Sequence, residues 1–421
     1  MPVKWENKRV ATQRSIAALD IGSSKICCFI GEVSGGGQLR VTGMSHQASA
    51  GVKNGVIVDM ESAYQSILAA VHSAEQMAGT TINAVTVSLA GGQPVSQIIR
   101  RELTIGGGAI READVRRMLN DGRQAADLRD RTLLHAIPLG FDVDDATGID
   151  HPTGMHAQKL VMRMHLVTGN AASVQNISYC VNRCHLAVQN VVAAPYAAGL
   201  ASLVEDERDL GSIVVDMGGG TTSIAVFYEG DLIYTDSIPV GGQHVTSDIA
   251  RGLSTSLAEA EKLKTRHGSA LPASSDDREM LEVPQVGEEE DAPNIIPKSY
   301  LVSIIAPRIE ETLEMVGDRL DASGIAGVAG QRVVLTGGAC QLTGVRELAT
   351  QMLDKQIRIG RPLGVTGLAE ATGGAAFAAA AGLLHYAVDD RGEARTMEAA
   401  AAAKTGGGLL SRVGGWFRET F

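Results

Sequence analysis

Two segments, one in each half of this chain, share a single layout, and that repetition limits what the chain can fold into. The first is Ile16-Ala17-Ala18-Leu19-Asp20-Ile21-Gly22-Ser23-Ser24-Lys25, running on into Ile26 to Val33. The second is Ile213-Val214-Val215-Asp216-Met217-Gly218-Gly219-Gly220-Thr221-Thr222, running on into Ser223 to Tyr228. Each reads as a buried strand ending in Asp, a turn of glycines and hydroxyls, and a second strand. In the second copy, Glu229-Gly230-Asp231 turns the chain again into a third strand, Leu232 to Val240. One such hairpin has an ordinary explanation, because Asp and Gly suit tight turns. Two at matching places point to a duplicated core that binds a nucleotide.

The residue types fit that chemistry. Glycines let backbone N–H groups approach phosphate oxygens with no Cβ in the way, and hydroxyls add donors. Asp20 and Asp216 can hold the water shell of Mg2+, which takes few direct protein ligands. They are the candidate catalytic and metal-binding pair. Gly22, Ser23, Ser24 and Lys25 on one side, with Gly218, Gly219, Gly220, Thr221 and Thr222 on the other, are candidate phosphate contacts, and Gly242 is a further candidate cofactor contact. Lys25 also reads as an exposed strand residue. A third glycine turn, Thr336-Gly337-Gly338-Ala339, follows a predicted strand at Arg332 to Leu335 and would let adenosine rest against backbone. Glu261 and Lys264 share a helix face, either as a surface ion pair or as contacts to ribose and adenine.

Elsewhere, periodicity sets the organisation. Asp59 caps a helix from Met60 to Met77, with Ile67, Leu68, Val71 and Met77 on one face. A strand is predicted at Ala84 to Leu89. The segment 84–165, with a charged helical stretch from Arg111 to Arg131, reads as an inserted small α/β unit. A helix from Asn170 to Cys184 leads to a strand at Val188 to Ala193. Ser274 to Ala292 is acidic and reads as an exposed loop. Helices follow at Ser299 to Leu320, Gly344 to Leu353 and Glu370 to His385. The expected division is an N-terminal extension (1–14), a first half (15–83, completed by 166–200), a second-half core (201–243 and 329–388) with a small subdomain (244–328), and a flexible linker (389–407).

Composition removes other classes. With 37 Lys and Arg against 48 Asp and Glu, the net charge of −11 argues against a broad nucleic-acid face. The five cysteines lack the paired spacing of a zinc site, and their odd number fits a reducing compartment. Met1 to Arg14 has no apolar core, so it is not a signal peptide. The longest apolar stretch, Ala375 to Val388, falls short of the ~20 residues a spanning helix needs. A cytoplasmic location is expected.

The last residues, 408–421, carry a separate signal. Leu409, Leu410, Val413, Trp416, Phe417 and Phe421 line one helical face, flanked by Arg412 and Arg418. Gly414-Gly415 weakens the helix in water. At ~1.5 Å per residue the segment is about 20 Å long, too short to cross a ~30 Å hydrocarbon core. It is expected to lie flat on anionic lipid, with stable attachment requiring many copies.

Asp20 to Lys25, Asp216 to Thr222 and Thr336 to Ala339, in this order, resemble the two phosphate motifs and the adenosine motif of the actin and heat-shock-chaperone ATPase superfamily. Pro195 to Gly199 and Ala371 to Ala375 sit where that superfamily has its connecting helices. Within it, the chain is most similar to the FtsA family, the bacterial cell-division actin homologues. Ile238-Pro239, Val245 to Ala250, Ala260 to Gly268, Arg358-Ile359-Gly360 with Pro362, and Gly382 to Tyr386 carry that likeness. The likeness runs from about Ser15 to the last residue.

The resemblance implies an actin-like ATPase fold of two RNase H-like halves with a subdomain inserted in the first. It implies ATP with Mg2+, filaments of the protein itself, and tethering of the FtsZ ring to the cytoplasmic side of the inner membrane at the division septum. It also implies contact with later divisome proteins and docking of the FtsZ C-terminal tail near Lys298 and Arg308. One departure concerns catalysis. Chaperone-type members carry Glu just before the connecting-helix proline, where this chain has Ala194, so at most slow hydrolysis is expected. A small-molecule kinase is the alternative, but no carboxylate base stands out for it. A chaperone would need a further peptide-binding domain after Tyr386.

Overall fold

The computed structural model describes residues 14–34, 38–287, 294–325 and 327–388. The expected N-terminal extension (but for Arg14), the linker 389–407 and the amphipathic segment 408–421 lie outside the described residues. The first half begins with strands β1 (Arg14–Ile21), β2 (Lys25–Val33) and β3 (Leu39–Ala48). Short strands β4 (Val52–Lys53) and β5 (Val56–Ile57), helix α1 (Met60–Ala78) and strand β6 (Ala84–Leu89) follow. Asp59 caps α1 by accepting from the amides of Glu61 and Ser62, and left-handed Gly79 ends it. Its buried face is Ala63, Ile67, Ala70, Val71 and Ala74, whereas Leu68 and Met77 are 36% and 56% exposed. The helix has turned onto its alanine stripe because Gly43 of β3 lets the two backbones meet. A Cβ there would lie 2.3 Å from Ala74 O.

The chain then leaves for an inserted unit: β7 (Val95–Thr104), α2 (Glu112–Gln124), β8 (Arg131–Val143), β9 (Ala146–Ile149) and β10 (Lys159–Asn170). Its sheet runs β7-β10-β8-β9 over a core that includes Ile99, Met118, Phe141 and Leu160. Two expectations change here. Ala84–Leu89 lies inside the first-half sheet, between β1 and the later β11, so the insertion starts after it. The charged helix spans Glu112–Gln124 alone, because Arg111 caps it through Asp114 and Arg131 already opens β8.

Helix α3 (Ala171–Arg183) and strand β11 (Ala187–Ala193) complete the first half, and α4 (Ala194–Ser202) leaves it. The second half comprises α5 (Glu205–Leu210), β12 (Ser212–Met217), β13 (Thr222–Tyr228), β14 (Asp231–Ile238), α6 (Gly242–Leu253) and α7 (Leu257–His267). A small hairpin, β15 (Met280–Val283) and β16 (Asn294–Pro297), precedes the long α8 (Lys298–Ser323). Then come β17 (Arg332–Thr336), α9 (Val345–Leu353), β18 (Gln356–Ile359), β19 (Val365–Thr366) and α10 (Ala378–Val388). Part of the predicted acidic loop is thus a strand. Leu281 and Val283 are buried while Met280 and Glu282 are exposed, a period-two pattern. Residues 288–292 of that loop lie outside the described residues. The predicted helix Glu370 to His385 is broken into two 3-10 turns and α10, with Gly373-Gly374 at the break.

The repetition seen in the sequence extends to topology. The sheets run β11-β6-β1-β2-β3-β19 and β14-β13-β12-β17-β18. Each has an antiparallel three-strand meander whose first strand pairs in parallel with later strands on its other side. The halves also exchange helices. α4 packs on the second sheet, where Gly199 leaves room for the Phe227 ring; α10 covers the first sheet through Ala380, Leu383 and Leu384. The two helices touch where Gly382 meets Ala197.

A seam joins the insertion to the second half along β14. Fully buried His165 of β10 donates from Nδ1 to Leu232 O at 2.7 Å, so its Nε2 accepts from the Ser96 hydroxyl. Ser96 Oγ in turn accepts from Thr235 N at 3.2 Å, and Ser237 Oγ donates to Ala90 O at 3.0 Å. Burial pushes the His165 pKa down to about 4. A folded value below the unfolded one means that folding disfavours the proton, so stability is lost as pH falls from about 6.5 toward 4. His165→Asn is expected to flatten this limb, which amounts to as much as about 3 kcal/mol, in urea denaturation across that range. The same acid limb in parent and variant would contradict the assignment.

Candidate functional site

Asp20 and Asp216 are the penultimate residues of β1 and β12, at the meeting line of the two halves. In both copies the following turn closes with the same hydrogen bond: Gly22 N donates to Lys25 O at 3.0 Å, and Gly218 N to Thr221 O at 2.8 Å. The turns pack tip to tip. A Cβ on Gly219 would lie 2.7 Å from Ser24 Cβ, and one on Gly220 would lie 2.4 Å from Ser23 Oγ. Glycine at these two positions therefore permits the contact. Ser23 is held from both sides, its hydroxyl accepting from Gly55 N at 2.9 Å and its carbonyl from Gln243 Nε2 at 3.0 Å.

The carboxylates are electrostatically uncomfortable. Burial raises the Asp20 pKa, opposed by a 2.7 Å hydrogen bond from Ser88 Oγ and by the Lys25 charge. Burial first, and then the Asp20 charge, push Asp216 up to about 7, again opposed by Lys25. Two buried acids, both raised by burial and one of them further by its neighbour's charge, suit a hard divalent cation that takes oxygen ligands and keeps its waters.

The second-half residues converge beside Asp216. Gly242 N and Gln243 N donate to Gly218 O and Gly219 O at 2.9 and 2.7 Å, stitching the start of α6 to the glycine turn. Lys264 Nζ reaches Gly242 O at 3.1 Å, Thr246 Oγ1 at 2.9 Å and Glu261 Oε2 at 2.7 Å. With only 14% of its side chain exposed, Lys264 is no loose surface cation. Gly337 is left-handed, and a Cβ on it would fall 2.5 Å from Asp216 Oδ1. Gly338 faces open space, and Ala339 Cβ lies 3.2 Å from the Cβ position of Gly242.

Thr222 departs from its expected role. It opens β13, is fully buried, and donates its hydroxyl to Val240 O at 2.9 Å. Lys25 is half-buried, so it is not an exposed strand residue. Lys298 and Arg308 sit apart from this cluster on α8, and both have intramolecular partners. Lys298 pairs with Glu279 and Asp276 at 3.0 and 3.7 Å, while Arg308 pairs with Asp248 at 2.6 Å and also with Glu311. Sequence reasoning gave no site role to Ser88, Gln243 or Thr246. Ser88 shares its strand with a second buried hydroxyl, Thr86, so the sequence alone does not single it out.

Solved structures share this architecture. The type IV pilus biogenesis complex PilM–PilN superposes with a TM-score of 0.63 at 16% identity, covering 89% of this chain and 98% of that one. MreB5 of Spiroplasma citri bound to ADP gives 0.52 at 14% identity, over 89% and 96%. The fold is that of the actin-like ATPases. Residues 213–382 match the family model for cell division protein FtsA, and residues 91–168 match that for the SHS2 domain inserted in FtsA. Cell division protein FtsA of Agrobacterium fabrum is 42% identical over 98% of this chain and 97% of its own length, and the chain belongs to the FtsA family. FtsA of Neisseria meningitidis is 35% identical (97% and 99% covered), and FtsA of Escherichia coli K12 is 33% identical (98% and 99%).

Proposed function

We propose that this cell-division protein binds ATP with Mg2+, polymerises, and ties the FtsZ ring to the cytoplasmic face of the inner membrane, where it helps recruit later divisome proteins. The observation that carries the nucleotide reading is the pair of facing hairpins with Asp20 and Asp216 at their base. These two residues would hold Mg2+ through its waters. Gly22, Ser23, Ser24, Lys25 and Gly218 to Thr221 would contact phosphates, and Gly242, Glu261, Lys264 and Gly337 to Ala339 would bound the adenosine. The cation, when bound, would offset the negative charge of the phosphates and of both carboxylates. Ala194, buried at the head of α4, supplies no carboxylate to orient a water, so hydrolysis is at most slow. Family membership does not favour a small-molecule kinase.

Among the described residues no helix is long and apolar enough to cross a membrane. Attachment is therefore assigned to Leu409, Leu410, Val413, Trp416, Phe417 and Phe421, with Arg412 and Arg418 on anionic lipid. For the FtsZ tail, Arg308 and Lys298 would share their present carboxylates or exchange them for those of the partner.

Cosedimentation with anionic vesicles and fluorescent FtsZ tests this reading. The full chain with Mg-ATP should carry FtsZ down. Truncation at Gly408 should leave both in solution, and Arg308→Glu should leave the protein on vesicles while losing FtsZ about tenfold or more. Vesicle binding by the truncated chain would sink the membrane assignment, and undiminished FtsZ capture by Arg308→Glu would remove Arg308 from the partner site.

A further inference from the structure

Lys25 opens β2 in the first half, yet its ammonium is held by the segment that heads α10. Its Nζ donates to Ala376 O and lies 4.4 Å from the centroid of the Phe377 ring. That ring is fixed in the first half, stacked on Phe29 with centroids 6.1 Å apart and met edge-on by His46 at 5.5 Å. One residue earlier, Ala375 O accepts from Thr336 Oγ1 at 3.0 Å and from Gly337 N at 3.1 Å. Successive carbonyls of one 3-10 turn, Ala375–Phe377, therefore hold the third glycine turn and Lys25. The same turn runs directly into α10. A neutral carbonyl and a ring face attract an ammonium much less than a phosphate does.

We propose that this turn is a holding site for Lys25, from which the ammonium passes to the phosphates of a bound nucleotide and so frees Ala376 and Phe377 at the head of α10. The proposal rests on the phosphate-binding reading of the hairpins. Phe377 is then a positioning residue that acts through Lys25. Because ring and phosphate compete for one cation, weakening the ring contact makes the ammonium easier to recruit.

Calorimetry of Mg-ATP binding to the full chain at low salt tests this, using Phe377→Leu and Phe377→Tyr in the parent and in Lys25→Met. Phe377→Leu should tighten binding about 3–10-fold, Phe377→Tyr should stay within about twofold, and neither should matter beside Lys25→Met. Weaker binding by Phe377→Leu, or an equal effect in both backgrounds, overturns the proposal. With no Phe377 variant at all, Mg-ATP should speed hydrogen exchange of the amides at 376–380 about threefold or more in the parent and not in Lys25→Met. Unchanged or slower exchange also overturns it. A parent chain that binds no Mg-ATP refutes the nucleotide reading and the transfer together. In that case a nucleotide-free unfolding cycle between Phe377→Leu and Lys25→Met separately reports the contact, which non-additive midpoints support and additive ones refute.

Discussion

Asp216→Asn is expected to weaken Mg-ATP binding by about 100-fold or more and, at the same time, to make the nucleotide-free protein more stable at pH 8. The two effects have one cause. Asp216 is held near pKa 7 by burial and by Asp20, so its folded value lies above the unfolded one. A carboxyl raised on folding contributes stability while protonated and loses it as pH rises from about 4 through about 7. Removing the charge should return on the order of 2–4 kcal/mol at pH 8 and almost nothing at pH 4. A cation between Asp20 and Asp216 would relieve the same strain in the parent, and the asparagine forfeits that relief. Equal parent and variant stability at both pH values, measured by urea denaturation, would show that burial and the Asp20 charge do not raise Asp216.

Gly382→Ala should cost about 3 kcal/mol or more, although alanine ordinarily stabilises a helix relative to glycine by ~1 kcal/mol. Its Cβ would stand 1.6 Å from Ala197 O and 2.3 Å from Ala197 C, both backbone atoms of the crossing helix. Neither can give way without separating α4 from α10, and with them the two halves. Gly317→Ala in α8 is the control, because its Cβ would meet only Leu353 Cδ2 at 3.7 Å. That variant should gain up to about 1 kcal/mol by thermal or urea unfolding. If both substitutions move stability in the same direction, the crossing is looser than the contact implies.

The hairpins and the third glycine turn were legible because their chemistry is local. Strand, Asp and glycines follow one another, and the duplication makes coincidence improbable. Ser88 and Phe377 were not legible, since the contacts that give them meaning join them to Asp20 and Lys25, far away in the sequence. In α1, helical periodicity offered two neighbouring stripes, one with the larger Leu68 and Met77 and one of alanines. The close approach allowed by Gly43, on a different element, selected the alanines. The glycine pair Gly373-Gly374 lies in the middle of the predicted helix and breaks it there. Thr222 looked like a further hydroxyl donor, but its register opposite Met217 and Ile238 turns it into the sheet.

The seam along β14 also limits how the molecule can open. Leu232, bonded to His165, lies opposite Phe227, which packs on the connecting helix; Ser237, bonded to Ala90, lies opposite Ser223, the partner of Asp216. The bonds thus run in file from the hinge side to the mouth, like the teeth of a zip. A rigid-body rotation would have to break them all together, so separation is cheaper as a peel that starts at the mouth. Small excursions would release only the serine hydroxyls on Ala90, which water can replace. Full opening must also expose the buried imidazole. Parting at the hairpins would therefore come as a graded series of breaths, with complete separation of the halves the rarest of them.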